Sequence, residues 1–249
     1  MVEVCVESLA GVRVARAAGA ERVELCAALG EGGLTPSAGL VEASVALGGI
    51  EVVVLARPRG GDFLYDDEEF AVLEREIAFA RERGAAGVAL GVLTRDGAPD
   101  VARCARLVAL ARPLAVTFHR AFDHVREPLS ALEQLIELGI ERVLTSGQAA
   151  SAPAGSERLA ALVGAARGRI QVIAAGGVRP ENVSALCAAT GVPAVHYSAS
   201  RAAPSAMDHR NPEVRLAAAG TMDEAWRPEV DAERVHAVLA ALGRQGRNP

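Results

Sequence analysis

The sequence predicts a (β/α)8 barrel, because eight short apolar runs alternate with amphipathic stretches along one uninterrupted chain. The length of 249 residues is typical of a single barrel of this kind. No Gly-x-Gly-x-x-Gly motif follows the first apolar run, which weighs against an open doubly wound sheet. We therefore expect one closed barrel domain over residues 1–249.

The predicted strands are short apolar runs, and the predicted helices show apolar residues at helical spacing. The strands are Glu3–Val6, Arg22–Cys26, Val52–Ala56, Gly87–Gly91, Leu114–Phe118, Arg142–Thr145, Gln171–Ala174 and Ala194–Tyr197. The helices are Leu9–Ala18, Ser37–Leu47, Asp67–Arg83, Ala102–Ala111, Pro128–Leu138, Glu157–Ala166 and Pro180–Thr190. Prolines at helix starts and glycines after helix ends support these boundaries.

The alternation stops near residue 200. From Ser200 to Pro228 no clear period remains, so this segment is predicted to be an extended arm or lid before a final helix at Glu229–Leu242. A locally disordered surface loop is the alternative. Trp226 is the only tryptophan and could hold the arm against the barrel or against a second chain.

Composition excludes several functional classes. The net charge of −5 and the lack of a basic run argue against nucleic acid as a partner. The first residues lack the pattern of a signal peptide, and no stretch is long and apolar enough to cross a bilayer. Four widely spaced cysteines fit a reduced, cytoplasmic protein. All 26 basic residues are arginines, so neither a Schiff-base lysine nor a pyridoxal-phosphate lysine exists.

Alternation along the strands places polar side chains inside the barrel. If the valines at positions 2, 4 and 6 face the helices, Glu3, Cys5 and Glu7 face inward. The same alternation predicts that side chains on one face of the second strand, and at the ends of the fifth and eighth strands, point into the barrel mouth. The residues on those faces are Arg22, Glu24, Cys26, Thr117, His119, His196 and Ser198.

The stretch Val116–Asp123 marks the expected site most clearly, because a buried strand ends there in ionisable residues. Glu24 and His119 are candidates for moving a proton, and His119 is expected to meet Glu24, Cys26 and Arg57. Buried histidines bonded to backbone are the alternative. Asp62 and Asp123 lie further into their loops and could only cap helices.

Anion binding is the second expectation for the barrel mouth. Guanidinium groups grip carboxylates or phosphates, and glycine-rich loops after the last strands expose backbone amides. The candidate anion-binding residues are Arg57, Arg59, Arg120, Ser146, Gly147, Gly176, Gly177 and Ser198. The alternative is that Arg57 and Arg59 only neutralise Glu24 and Glu7, and that the glycines only form turns.

A metal site is the third expectation. Cys26 and His196 are the candidate ligands, with His119 or Met207 as further soft donors for Cu(I) or Zn(II). Cys5 faces inward lower on the first strand and could approach Cys26 only if the strand register allows it. Cys104 and Cys187 fall in predicted helices, where cysteine is usually a small buried hydrophobe.

Several motifs together resemble the CutC copper-homeostasis family, over most of the chain from Val4 to about Asn211. They are Glu24–Cys26, Glu31–Ser37, Arg57–Phe63, Val116–Asp123, Leu144–Gly147, Ala175–Val178, Ser198–Arg201 and Met207–Asn211. The resemblance implies a cytoplasmic (β/α)8 barrel, usually oligomeric, with a role in copper tolerance and a cysteine that contacts Cu(I). Cys26 falls on a cysteine position of the family.

Two hypotheses for function follow. In the first, the protein takes part in copper homeostasis and binds Cu(I) through Cys26, with His119, His196 or Met207 nearby. In the second, it is an enzyme on a small phosphorylated or carboxylated molecule. Arg57, Arg59 and Arg120 would then hold the anion, and Glu24 or His119 would move a proton.

Overall fold

The computed structural model describes residues 1–211, 213–214 and 224–243. Eight parallel strands form a closed barrel in chain order, so the predicted fold class is confirmed. The strands are β1 Val2–Val6, β2 Arg22–Leu25, β3 Glu51–Leu55, β4 Gly87–Leu90, β5 Ala115–Phe118, β6 Arg142–Thr145, β7 Gln171–Ala175 and β8 Ala194–Tyr197.

Helices surround the barrel and connect its strands. They are α1 Leu9–Ala17, α2 Ala38–Leu47, α3 Asp67–Glu82, α4 Val101–Ala111, α5 Pro128–Glu137, α6 Ser156–Ala166, α7 Pro180–Thr190 and α8 Ala232–Ala241. Local sequence explains their ends: a capping box of Asp66 and Glu69 begins α3, and Pro180 occupies the first turn of α7. Gly191, with φ of 70°, ends α7.

The inner and outer faces of the strands differ in chemistry. The outward valines of β1 join the large apolar core between the barrel and the helices. Inside the barrel, a small apolar cluster around Cys26, Val53 and Leu55 lies on one side, and a second one lies around Leu144 and Ile173 on the other. Buried polar side chains from β1, β2 and β8 complete the interior. The alternation that the sequence predicts is therefore present.

The segment after β8 differs from the prediction. Ser200–Pro204 and Trp226–Val230 form two antiparallel strands, β9 and β10, that pair with each other outside the barrel. The final helix accordingly begins at Ala232 and not at Glu229, because Glu229 and Val230 belong to β10. Trp226 is 48% exposed. The central part of the predicted arm, at 212 and 215–223, lies outside the described residues.

Candidate functional site

A cavity of about 1090 Å³ opens at the carboxyl ends of the barrel strands. Five candidates from the sequence that line it are Glu24, Arg57, His119, Arg120 and His196. Gly176, Gly177 and Ser198 line it as well. This end of a (β/α)8 barrel is where ligands bind, because the loops that follow the strands converge there.

Four ionisable side chains form a buried polar cluster at the floor of the cavity. Arg22 donates from Nε to Glu3, and both side chains are almost fully buried. Glu3 Oε1 lies 2.7 Å from Nδ1 of His196, whose Nε2 lies 3.7 Å from Oε2 of Glu24. Glu3, Glu24 and His196 could together offer ligand atoms to a metal ion, since these atoms lie within 4.8 Å of one another.

Mutual contact sets the charges in this cluster. Although burial opposes ionisation, hydrogen bonding to His196 and the nearby Arg22 lower the pKa of Glu3 to about 2. Burial raises the pKa of Glu24 to about 8, and the neighbouring Glu3 and Cys5 add to this effect. Burial also disfavours the charged form of His196, but Glu24, Cys5 and Glu3 outweigh it and raise its pKa well above the ordinary value. Glu3 is thus the carboxylate of the cluster that stays ionised at neutral pH, and it carries the charge that faces Arg22 and His196.

Two thiols lie next to this cluster. β1 pairs with β2 so that Cys5 stands opposite Glu24, and this register brings Cys5 to Cys26. Hydrogen bonds from Cys26 and from His196 lower the pKa of the Cys5 thiol to about 5, against the effect of burial. Cys26 is fully buried, with Sγ 3.5 Å from the Val6 carbonyl oxygen, and the contact with Cys5 raises its pKa. Cys5 lines the cavity, whereas Cys26 does not.

His119 ends β5 and begins a short 3-10 helix at Arg120–His124. The backbone amide of Ala121 donates to Nδ1 of His119 at 3.1 Å, so the ring proton of the neutral form sits on Nε2. Burial, together with the charge of Arg57, lowers the pKa of His119 to about 3. Among the described residues, its Nε2 has no hydrogen-bond partner. The expected approach to Arg57 is present, and no hydrogen bond joins His119 to Glu24 or Cys26.

The arginines after β3 have fixed partners. Arg57 donates to the carbonyl oxygens of Glu31, Gly33 and Gly61 at 2.8–2.9 Å and therefore braces two loops at the rim. Arg59 pairs with Glu69 and Asp62 and does not line the cavity. Neither arginine forms an ion pair with Glu24 or Glu7. Glu7 instead accepts a hydrogen bond from the Leu29 amide at 2.8 Å.

Arg120 directly follows His119 after β5 and is held by Asp123. Nε of Arg120 donates to Asp123 at 2.8 Å, and Nη2 donates to the Ser146 hydroxyl at 3.3 Å. Asp123 also accepts from Thr145 and from the Ser146 amide, so it ties β5 to β6 and is more than a helix cap. Ser146 and Gly147 belong to this internal bonding and do not line the cavity.

The sequence predictions left out several residues of the site. Alternation placed Glu3 and Arg22 on the inward faces beside Cys5 and Glu24, but neither was named as a candidate for the site. Arg179 directly precedes Pro180, the proline that begins α7. A proline of this kind marks the start of a helix, so the sequence could have predicted that Arg179 lies at a helix amino end. Arg234 reaches the cavity from α8, and nothing in the local sequence indicates this.

The remaining candidates lie elsewhere. Met207 is 68% exposed and is not part of the cavity lining. Cys104 is fully buried in α4 and donates to the Val92 carbonyl oxygen at 3.7 Å, and Cys187 lies half-buried in α7. No helix in the described ranges has the length and apolar character needed to cross a membrane.

Comparison with known proteins identifies relatives over nearly the whole chain. A family model described as the CutC family matches residues 1–201. A CutC family protein of Chromobacterium violaceum is 48% identical over 98% of each chain. A human protein named copper homeostasis protein cutC homolog is 42% identical over 96% of this chain and 88% of its own length.

A solved structure agrees with these relatives. The crystal structure of a protein described as a CutC copper homeostasis protein from Streptococcus agalactiae is 34% identical to this chain. It superposes with a TM-score of 0.76 over 80% of this chain and 98% of its own length. These similarities favour the copper-homeostasis hypothesis over the hypothesis of an enzyme acting on a small phosphorylated or carboxylated molecule.

Proposed function

Because this chain belongs to the CutC family, we propose that it takes part in copper homeostasis by binding Cu(I) at Cys5 and Cys26. The observation that carries the proposal is the contact of the two thiols beside His196 in the barrel interior. One relative, the human protein, is named for copper homeostasis, which supports the choice of metal.

The donor set suits Cu(I). Thiolate sulfur is a soft ligand that selects Cu(I), and imidazole nitrogen is an acceptable further ligand. Cys5 is already disposed to ionise, since its pKa is lowered to about 5 by Cys26 and His196. Binding would release protons from Cys26 and His196, because a metal competes with protons for the same lone pairs.

Glu3 would orient the imidazole of His196 for this role. Its carboxylate oxygen lies 2.7 Å from Nδ1, which fixes the ring and leaves Nε2 directed away from Glu3. The carboxylate and imidazole atoms of Glu3, Glu24 and His196 alone would suit a harder ion such as Zn(II). Glu3, however, is already hydrogen-bonded to Arg22 and His196, so the two thiols are the better metal ligands.

An anaerobic Cu(I) titration against a chromophoric Cu(I) chelator tests the proposal. The unmodified protein is expected to take up close to one Cu(I) per chain. The double variant Cys5→Ser, Cys26→Ser is expected to bind at least ~100-fold more weakly, because both thiolate ligands are gone. Circular dichroism checks whether the variant retains the fold of the unmodified protein.

Cys187→Ser is the matched control, since it removes a thiol on α7 that lies outside the proposed site. It should leave stoichiometry and affinity unchanged. Equal Cu(I) affinity in the double variant and the unmodified protein would contradict the proposal.

We further propose that the protein works in the cytoplasm as a homo-oligomer. None of the four cysteines forms a disulfide bond in the structure, and a Cu(I)-binding thiol pair needs a reducing compartment to remain available. The exposed indole of Trp226 on β10 supports a contact with a second copy. Light scattering coupled to size-exclusion chromatography measures the mass, and a monomer at all concentrations would oppose the oligomer.

A further inference from the structure

The cavity is basic although the protein as a whole is acidic. Four arginines line it, against two glutamates, whereas the whole chain carries a net charge of −5. The arginines are Arg57, Arg120, Arg179 and Arg234, and the glutamates are Glu24 and Glu181. Cavities lined by one sign of charge concentrate ligands of the opposite sign. A Cu(I) cation gains nothing from such a lining, so the proposed metal site does not explain it.

Two of the four arginines, Arg120 and Arg179, lie at the amino end of α7. Arg120 lies over Gly176, where an added Cβ would come within 3.4 Å of the guanidinium carbon. Its Nη1 donates no hydrogen bond within the described residues, because Nε and Nη2 serve Asp123 and Ser146. The backbone amides of Gly177 and Val178, which precede α7, donate to no acceptor in the described ranges. Free amides at a helix amino end beside a guanidinium form an anion site.

His119 supplies the second, independent observation. It is only 4% exposed and lines the same cavity, yet its Nε2 has no partner in the described part of the chain. The amide of Ala121 occupies Nδ1, so Nε2 carries the proton and is an unpaired donor on a side chain of the cavity wall. A buried donor without an acceptor is costly unless a ligand or water completes it.

We propose that the cavity binds a small phosphomonoester, with its phosphate between Arg120 and the amides of Gly177 and Val178. A hydroxyl or carbonyl oxygen of the organic part then accepts from Nε2 of His119. A volume of about 1090 Å³ accommodates a metabolite of this kind, since ligand pockets commonly measure roughly 300–1,000 Å³. The proposed phosphate contacts involve neither Cys5 nor Cys26, so they differ from the proposed copper ligands although Cys5 lines the same cavity.

Calorimetry and ³¹P NMR with defined probes test the proposal on copper-free protein. The probes are glycerol 3-phosphate, ribose 5-phosphate and glucose 6-phosphate, with glycerol, ribose, glucose and inorganic phosphate for comparison. At least one ester is expected to bind, and its unphosphorylated partner is not. Binding to the double variant Cys5→Ser, Cys26→Ser should be unchanged, which distinguishes this site from the copper site.

Charge-matched variants identify the phosphate end. Arg120→Gln is expected to weaken ester binding about tenfold or more, since a charge-assisted contact to phosphate is lost. Arg59→Gln is the matched control, because Arg59 lies near the rim but is paired with Glu69 outside the cavity. If Arg120→Gln fails to fold, Arg234→Gln removes an exposed cavity arginine and should weaken binding in the same direction.

His119→Gln identifies the organic end. It should weaken binding of the ester and leave the weaker binding of inorganic phosphate unchanged, because inorganic phosphate has no group that reaches His119. Three results would overturn the proposal: no ester binds, Arg120→Gln and Arg59→Gln behave alike, or inorganic phosphate binds as tightly as every ester with no effect of His119→Gln.

Discussion

Arg22 is the largest side chain that the described structure buries completely, and its charge is balanced mainly by Glu3. Glu51 also lies within 3.8 Å of Arg22, but its side chain is 56% exposed. Two terminal guanidinium nitrogens of Arg22 have no hydrogen-bond partner among the described residues. A buried charge with so few partners depends strongly on the one carboxylate that faces it.

Glu3→Gln is therefore expected to lower the free energy of unfolding by about 3–5 kcal/mol, because it leaves Arg22 and His196 without their shared counter-charge. Glu51→Gln removes the exposed partner of the same arginine and should cost only about 0–1 kcal/mol. Urea denaturation at pH 7 measures both variants. Equal losses in the two variants would show that burial does not decide the strength of the pair.

At the scale of elements, the residues that follow β4 and β5 pack closely against each other. Gly91 directly follows β4, and a Cβ added there would lie 2.6 Å from Cε1 of His119 and 2.8 Å from Cβ of Ala121. Both neighbours are buried, so neither can move away freely. The glycine thus makes room for the ring of His119 at the cavity wall.

Gly91→Ala is expected to lower the free energy of unfolding by about 1–3 kcal/mol, because the added methyl group overpacks a buried site. Gly164→Ala is the control: it lies inside α6, and apart from the neighbouring backbone of that helix no atom lies within 4 Å of the added Cβ. That change should raise stability by about 0.5–1 kcal/mol, since alanine favours helix more than glycine does. A similar effect of the two substitutions in thermal unfolding would contradict the packing argument.

The sequence predicted each barrel strand to within one residue at each end, because a run of apolar β-branched residues is a local signal that can be read along the chain. Alternation likewise predicted that Glu24 and Cys26 face inward. The meeting of Cys5 and Cys26 depends on how β1 and β2 align, which no local pattern encodes. The pairing of β9 with β10 was missed for the same reason, since its two strands are separated by more than twenty residues.

At the scale of the whole molecule, the proposed copper ligands span the seam where the barrel closes. His196 belongs to β8, Cys5 to β1, and Cys26 directly follows β2. β1 pairs with both β8 and β2, so the first and last strands of the barrel meet at this seam. A metal held at this seam would link strands that are distant in sequence. Such a link stabilises the folded state, because the unfolded chain cannot present the same ligands together.

Cu(I) is therefore expected to stabilise the entire barrel against heat. Free Cu(I) at 100 times its Kd would contribute ~2.7 kcal/mol, which corresponds to a rise in Tm of roughly 5–10 °C for a domain of this size. Anaerobic differential scanning calorimetry measures the shift, and removal of the metal with a chelator should reverse it. The double variant Cys5→Ser, Cys26→Ser should show no shift, whereas Cys187→Ser should shift as the unmodified protein does. A shift of the same size in the double variant would place the stabilising metal away from the seam.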